Sequence, residues 1–239
     1  MRGISRIIAV AAVVGLGLVA APSAQAGATQ ASTPLGRVDV VVGDATFEVS
    51  GCKDIPISMN AATVYSDVYW SADVEARLEG TATTNSAFFY GTGSGLEEED
   101  FLICPNIDGA GRWLVSGEVT MRSYDTDEEY TASFSTSFVV SKARTSTAIS
   151  KIAASQYYIE VTGKVTSRSA QWGTVGVSGS VSVQLQKGRK WVEVGTGYAD
   201  SKGIFTATIF ETFPKRSVFR AVFEGSAATL ASTSRTRRY

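Results

Sequence analysis

Apolar and polar residues alternate along most of this chain, and the alternation is clearest over residues 64–79. The even positions there are Val64, Ser66, Val68, Trp70, Ala72, Val74, Ala76 and Leu78, apolar apart from one serine. The odd positions are Tyr65, Asp67, Tyr69, Ser71, Asp73, Glu75, Arg77 and Glu79. A period of two predicts a half-buried strand, or a hairpin arm bent once near Ser71. No helix gathers that set on one face. The period returns at Trp113, Val115, Gly117, Val119 and Met121, and again at Tyr130, Ala132, Phe134, Phe138 and Val140. Shorter strands are predicted at 38–42, 46–50, 86–90 and 101–104. Seven strands with polar turns between them describe an antiparallel sandwich.

The remainder alternates in the same way. Tyr157, Ile159, Val161, Gly163 and Val165 form one inward set, and Val181, Val183 and Leu185 another. The stretch KWVEVGTGYADSKGIF, residues 190–205, then reads as strand, turn and strand start, with Trp191 covering one end of a core. Asp200 and Gly203 sit at the two ends of its four-residue turn. Strands are predicted through VFRAVFEG and near TLASTS. The small, polar segment 141–150 is the best boundary between two strand-rich blocks.

These residues carry a resemblance. Val183, Leu185 and Gln186, then Trp191 and Val194, then Asp200, Gly203 and Phe205, then Phe219, Arg220, Ala221, Phe223 and Gly225 are similar to the pattern of bacterial immunoglobulin-like repeats. Such repeats occur in secreted and surface proteins of Gram-positive bacteria. The resemblance covers roughly residues 143–234 and implies a β-sandwich. It implies no single function, because such modules serve as spacers, adhesins and carbohydrate-binding accessories. In the first half, Cys52, Trp70 and Cys104 follow the order of an immunoglobulin core, in which a tryptophan packs on an inter-sheet disulfide. Leu102 stands where that pattern has tyrosine, so the topology of this half stays open. The fold expected is therefore all-β: two tandem immunoglobulin-like antiparallel β-sandwich domains, residues 27–142 and 143–239.

The first residues add a location. Arg2 and Arg6 precede an uncharged run of 15 residues, Ile7 to Ala21, and Ala24-Gln25-Ala26 follow. That is the layout of a signal peptide over residues 1–26, cleaved before Gly27. The run is short for a membrane span, which needs about 20 residues. Secretion is expected, with no integral membrane segment in the processed chain. Cys52 and Cys104 are the only cysteines and are expected to pair in an oxidising compartment. Closing that loop stabilises by about 4 kcal/mol in the chain-entropy model.

Charge separates the halves. Residues 27–142 hold 6 Lys and Arg against 18 Asp and Glu, a net −12, whereas residues 143–239 hold 14 against 5, a net +9. Either the halves attract and pack on each other, or each directs its field outward, the basic half toward anionic envelope polymers and the acidic half toward cations.

Candidate chemistry is sparse. Without a histidine, imidazole triads and histidine-ligated metals are excluded. Carboxylate pairs remain, in LEEED (Glu97, Glu98, Glu99, Asp100) and YDTDEEY (Asp125, Asp127, Glu128, Glu129), both read as polar loops. Two such groups suffice for glycoside hydrolysis, and the second loop offers hard oxygens to calcium, although it lacks an EF-hand's glycine and terminal glutamate. Tyr65 and Tyr69, on the outward face of one strand, are the candidate ligand contacts, with Phe88, Phe89 and Tyr90 beside a glycine loop as a second aromatic set. The expectation is a secreted, non-enzymatic binding or scaffolding protein at or outside the cell envelope, its partner an envelope polymer, a glycan or a protein. No cofactor and no nucleic acid are expected. The alternative is an extracellular glycan hydrolase using the acidic residues of the first half.

Overall fold

The computed structural model describes residues 27–49 and 51–239, and no helix occurs among them. The candidate leader, residues 1–26, lies outside the described residues. Nine strands come first: β1 (Gly27–Thr33), β2 (Gly36–Val42), β3 (Ala45–Thr46), β4 (Lys53–Thr63), β5 (Val68–Leu78), β6 (Thr84–Thr92), β7 (Gly95–Ile103), β8 (Gly111–Ser123) and β9 (Glu129–Ser141). They form two sheets, ordered β1-β2-β4-β7 and β3-β9-β8-β5-β6. Every pairing is antiparallel except β3 with β9. Nine further strands follow: β10 (Thr145–Ala154), β11 (Ile159–Ser169), β12 (Gly173–Gly176), β13 (Gly179–Lys187), β14 (Lys190–Ala199), β15 (Ile204–Ile209), β16 (Val218–Phe223), β17 (Ser232–Thr233) and β18 (Arg237–Arg238). In one of their sheets β11 pairs with β10, β12 and β15; the other runs β14-β13-β16-β17, with β18 also on β16.

The alternation in sequence becomes two buried clusters. In the first, Val38, Val40, Ile55 and Ile57 face Trp70, Trp113, Val119 and Phe138. In the second, Val161 and Val165 face Val183, Phe219 and Phe223. Each such side chain contributes roughly 1.5–3 kcal/mol on burial. Both clusters place a phenylalanine directly across from a glycine on the neighbouring strand: Phe134 against Gly117, and Phe205 against Gly163. A Cβ on Gly117 would meet Phe134 Cζ at 2.6 Å, and one on Gly163 would meet Phe205 Cζ at 2.3 Å. The glycines are required for space.

The turn from β14 to β15 forms as its sequence predicts. Asp200 Oδ1 accepts the N–H groups of Lys202 and Ile204 at 2.8 and 2.9 Å. Gly203 has φ +78°, and a Cβ there would lie 2.0 Å from the Val165 carbonyl oxygen. No other residue fits.

Several expectations are corrected. The first half has nine strands, not seven. β4 was hidden by Pro56, which normally marks a sequence as edge or non-strand; here it is exposed while Ile55, Ile57 and Met59 point inward. The strand expected at 46–50 stops at Thr46, and that at 101–104 begins at Gly95, so LEEED is strand rather than loop. β5 begins at Val68, leaving residues 64–67 as a turn with Val64 exposed. The Cys52–Cys104 bond forms, but it ties β4 to β7, adjacent strands of one sheet whose Lys53 and Ile103 are paired. It is therefore not an inter-sheet bond of the immunoglobulin kind. What links the sheets near it is an aromatic stack: Phe138 lies between Phe101 and Trp113, each 6.2 Å away between ring centroids.

Two corrections fall in the second half. Within the polar segment 141–150, β10 begins at Thr145 and turns Thr147 and Ile149 inward. Trp191 does not cap the core. It pairs with Gln186 on the outer face of its sheet, where the guanidinium of Arg220 lies over its ring.

Candidate functional site

The outer face of the β9-β8-β5-β6 sheet holds most of the residues singled out as ligand contacts. Tyr69 is there, half-buried, between Thr92 of β6 and Arg122 of β8. Tyr65 is not: it sits in the turn before β5, 59% exposed. The two tyrosines thus do not share a strand face. The exposed aromatic pair on this sheet is Phe88 with Tyr90, stacked with centroids 6.1 Å apart, while Phe89 between them is buried in the core.

Beside that pair the sheet forms a groove of about 830 Å³. Asp73, Glu75, Glu118, Ser86, Ser116 and Phe88 line it. The β5 register sets Asp73 directly opposite Phe88 on one side and Glu118 on the other. Like charges opposed across a strand pair oppose folding slightly. A second groove of about 890 Å³ continues along the face, lined by Arg77, Arg112, Leu114 and Ser135. Arg112 bonds the Ser137 hydroxyl there. The face therefore grades from acidic to basic and offers carboxylates and guanidinium groups to a polar ligand.

The two acidic segments take up different conformations. In β7, Glu97 and Glu99 point to one side and Glu98 and Asp100 to the other, so the four do not converge. In the β8–β9 turn, Asp127 has φ +59° and its carboxylate is held by the Arg122 guanidinium. That bond raises the Arg122 pKa, with the charge of Asp127 adding to it. Asp67 reaches the same turn and accepts the Ser123 hydroxyl at 3.0 Å and the Asp125 N–H at 3.3 Å. Partial desolvation raises the Asp67 carboxyl, but these hydrogen bonds together outweigh it and hold the group below the ordinary carboxylate range. The turn is built as structure. Among the described residues, no group of three or more His, Cys, Asp or Glu side chains is arranged to hold a metal ion.

Sequence reasoning missed the Asp73–Glu118 groove, although Asp73 and Glu75 fall on predicted outward positions. The missing signal was the register of β5 against β8. It also missed the contact of Arg220 with Trp191, because both residues read as parts of a sandwich pattern.

These elements define an all-β protein with an open, charged sheet face. No family model matches the chain, and no curated protein matches it. Among solved structures it is similar to a biofilm-associated protein BSP domain, at 16% identity and a TM-score of 0.25, over 82% of this chain and 28% of that one. It is also similar to red sea bream transglutaminase, at 9% identity and a TM-score of 0.36, over 87% of this chain and 31% of that one. The chain spans less than a third of either solved protein. At these TM-scores neither likeness carries an argument about function.

Proposed function

We propose that this chain is an exported two-domain protein that acts by binding, without catalysis, at or outside the cell envelope. The observation that supports this reading is the segregation of charge. The halves carry −12 and +9. The ion pairs among the described residues, Arg37–Asp39 and Arg122–Asp127, both lie inside the acidic half. Contacts between the halves are made instead by Lys142, whose Nζ donates to the Ser226 carbonyl, and by Ala228 and Val49, which pack in the first and against the second cluster respectively. Neither field is spent inside the molecule, so both act on what surrounds it. An oxidised Cys52–Cys104 pair accords with export.

The test is retention of the processed chain on envelope fractions, combined with a glycan array. Binding at low ionic strength that falls steeply with added salt is expected, because exposed charges are screened within about 10 Å at 0.1 M. Absence of retention at low salt overturns the reading. So does turnover of a polysaccharide that is lost on changing Glu97 or Asp127.

A further inference from the structure

We propose that the outer face of the β14-β13-β16 sheet is a binding site for an oxyanion-bearing polysaccharide, centred on Arg220. The inference rests on the binding function proposed above and assigns it a site and a ligand chemistry.

Arg220 in β16 stands opposite Gln184 in β13, which in turn stands opposite Glu193 in β14. The Trp191 ring reaches across β13 from the far strand, its centroid 4.3 Å from the Arg220 guanidinium carbon. Arg220 Nε donates to Gln184 Oε1 at 2.8 Å. One face and one N–H of the guanidinium are thereby fixed. The nearest carboxylate on this face, Glu193, accepts the Ser182 hydroxyl at 2.6 Å and forms no ion pair with Arg220. Among the described residues Arg220 makes no ion pair, and its two terminal nitrogens have no protein partner.

A guanidinium held flat with its N–H fork free is organised for bidentate capture of a carboxylate or phosphate. The surroundings extend the site. Arg238 in β18 lies opposite Val218, two residues from Arg220 on the same face. At the hairpin beyond Trp191, Lys187 and Lys190 are paired directly across the strands, but alternation turns them to the opposite face from Gln186 and Trp191. Two positive groups, Arg220 and Arg238, thus share this face. A polymer bearing an anion in each repeat engages both at once, while Gln186 beside the ring, its Nε2 donating to the Gly188 carbonyl at 3.3 Å, offers its amide oxygen to sugar hydroxyls.

The experiment measures binding of the processed chain at low salt to polygalacturonate, to a glycerol-phosphate polymer, to neutral dextran and to single-stranded DNA. At least one of the first two should bind, the carboxylate and phosphodiester arms distinguishing the source of the oxyanion, and dextran should not. Arg220→Gln should weaken binding by roughly tenfold, because a bidentate charged contact is lost. Arg220→Lys, which keeps the charge without the fork, should fall between. Lys164→Gln, the same charge change on β11 in the other sheet, should leave affinity unchanged. If Arg220→Gln and Lys164→Gln weaken binding equally, the site is wrong although the basic half still binds. If Arg220→Gln fails to fold, Arg220→Lys decides: undiminished affinity overturns the site. DNA bound as tightly as the glycans overturns the ligand class. If no polymer binds the unaltered chain, site and proposed function fall together.

Discussion

In the first core Phe134 lies over Gly117, and in the second Phe205 lies over Gly163, each pair directly opposed across two antiparallel strands. An aromatic ring over a glycine fills the space a side chain leaves empty and pins the register of the strands that carry it. Around this shared device the two halves are secured differently. The first has a covalent tie, Cys52–Cys104, across the ends of β4 and β7, and the Phe101–Phe138–Trp113 stack between its sheets. The second has no cysteine and relies on a turn in which one carboxylate gathers two backbone N–H groups over a glycine that no other residue can replace. The difference teaches that a sheet pair can be closed by a bond in one place and by backbone geometry in another. It also makes the halves separable by experiment.

The largest effect should come from Phe205→Ala. Its ring is 1% exposed and packs on a glycine that cannot grow to fill the void. A loss of about 5 kcal/mol, at the top of the range for buried phenylalanine, is expected. Phe134→Ala, whose ring is 6% exposed, should cost less. Calorimetric melts of both variants check the order, and equal losses would show that the glycine contact does not set the scale. Next comes the disulfide. Replacing Cys52 and Cys104 with alanine should destabilise the first core by about 4 kcal/mol, following the loop-entropy estimate. Hydrogen exchange should then show faster opening of β4 and β7 and unchanged protection of β13 and β16. Accelerated exchange in both halves would mean that they unfold as one unit.

Asp200→Ala comes third. Two charge-assisted hydrogen bonds to an exposed turn are worth about 2 kcal/mol together, allowing for solvent. Urea melts should show that loss without a change of slope. A change of slope would instead point to an altered unfolded or native surface.

Much of this was legible before any coordinates. Alternation reports which side of a strand a residue faces, so Val183 and Leu185 could be placed inward, and the Asp200–Gly203 turn located, from residue types alone. Pairing is a different kind of information. That Asp73 meets Glu118, or that Trp191 reaches Arg220, depends on how strands slide past one another, and in β13 and β14 on a register shift at Val183 and Gln184. A single strand's pattern does not encode its partner's offset. The same limit explains the disulfide: the chain's two cysteines announce a pair, but not that it joins neighbours in one sheet. Residues 64–67 misled for another reason. Their hydrophobic parity continues that of β5, yet Val64 N–H is bonded to the Leu35 carbonyl and Val68 accepts the Gly93 N–H, which ends the strand where the hairpin neighbours end.

The smallest predicted effect compares two aspartates with the same task. Asp200 caps the β14–β15 turn, and Asp67 ties the β8–β9 turn to the start of β5 through the Ser123 hydroxyl and the Asp125 N–H. Hydrogen bonds to the ionised form hold the Asp67 carboxyl below the ordinary range in the folded protein. The unfolded chain, lacking them, binds the proton at the higher, ordinary value. Between those two values the unfolded state carries more protons, so stability rises with pH there. The contribution is thus fully present above the ordinary carboxylate value and disappears as pH falls through the lower, folded one. Asp67→Asn removes the ionisable group while leaving an acceptor for Ser123. The variant should melt below the unaltered protein at neutral pH, and the gap should close on acidification through the carboxylate range. A gap that stays constant with pH would show that Asp67 acts by shape alone.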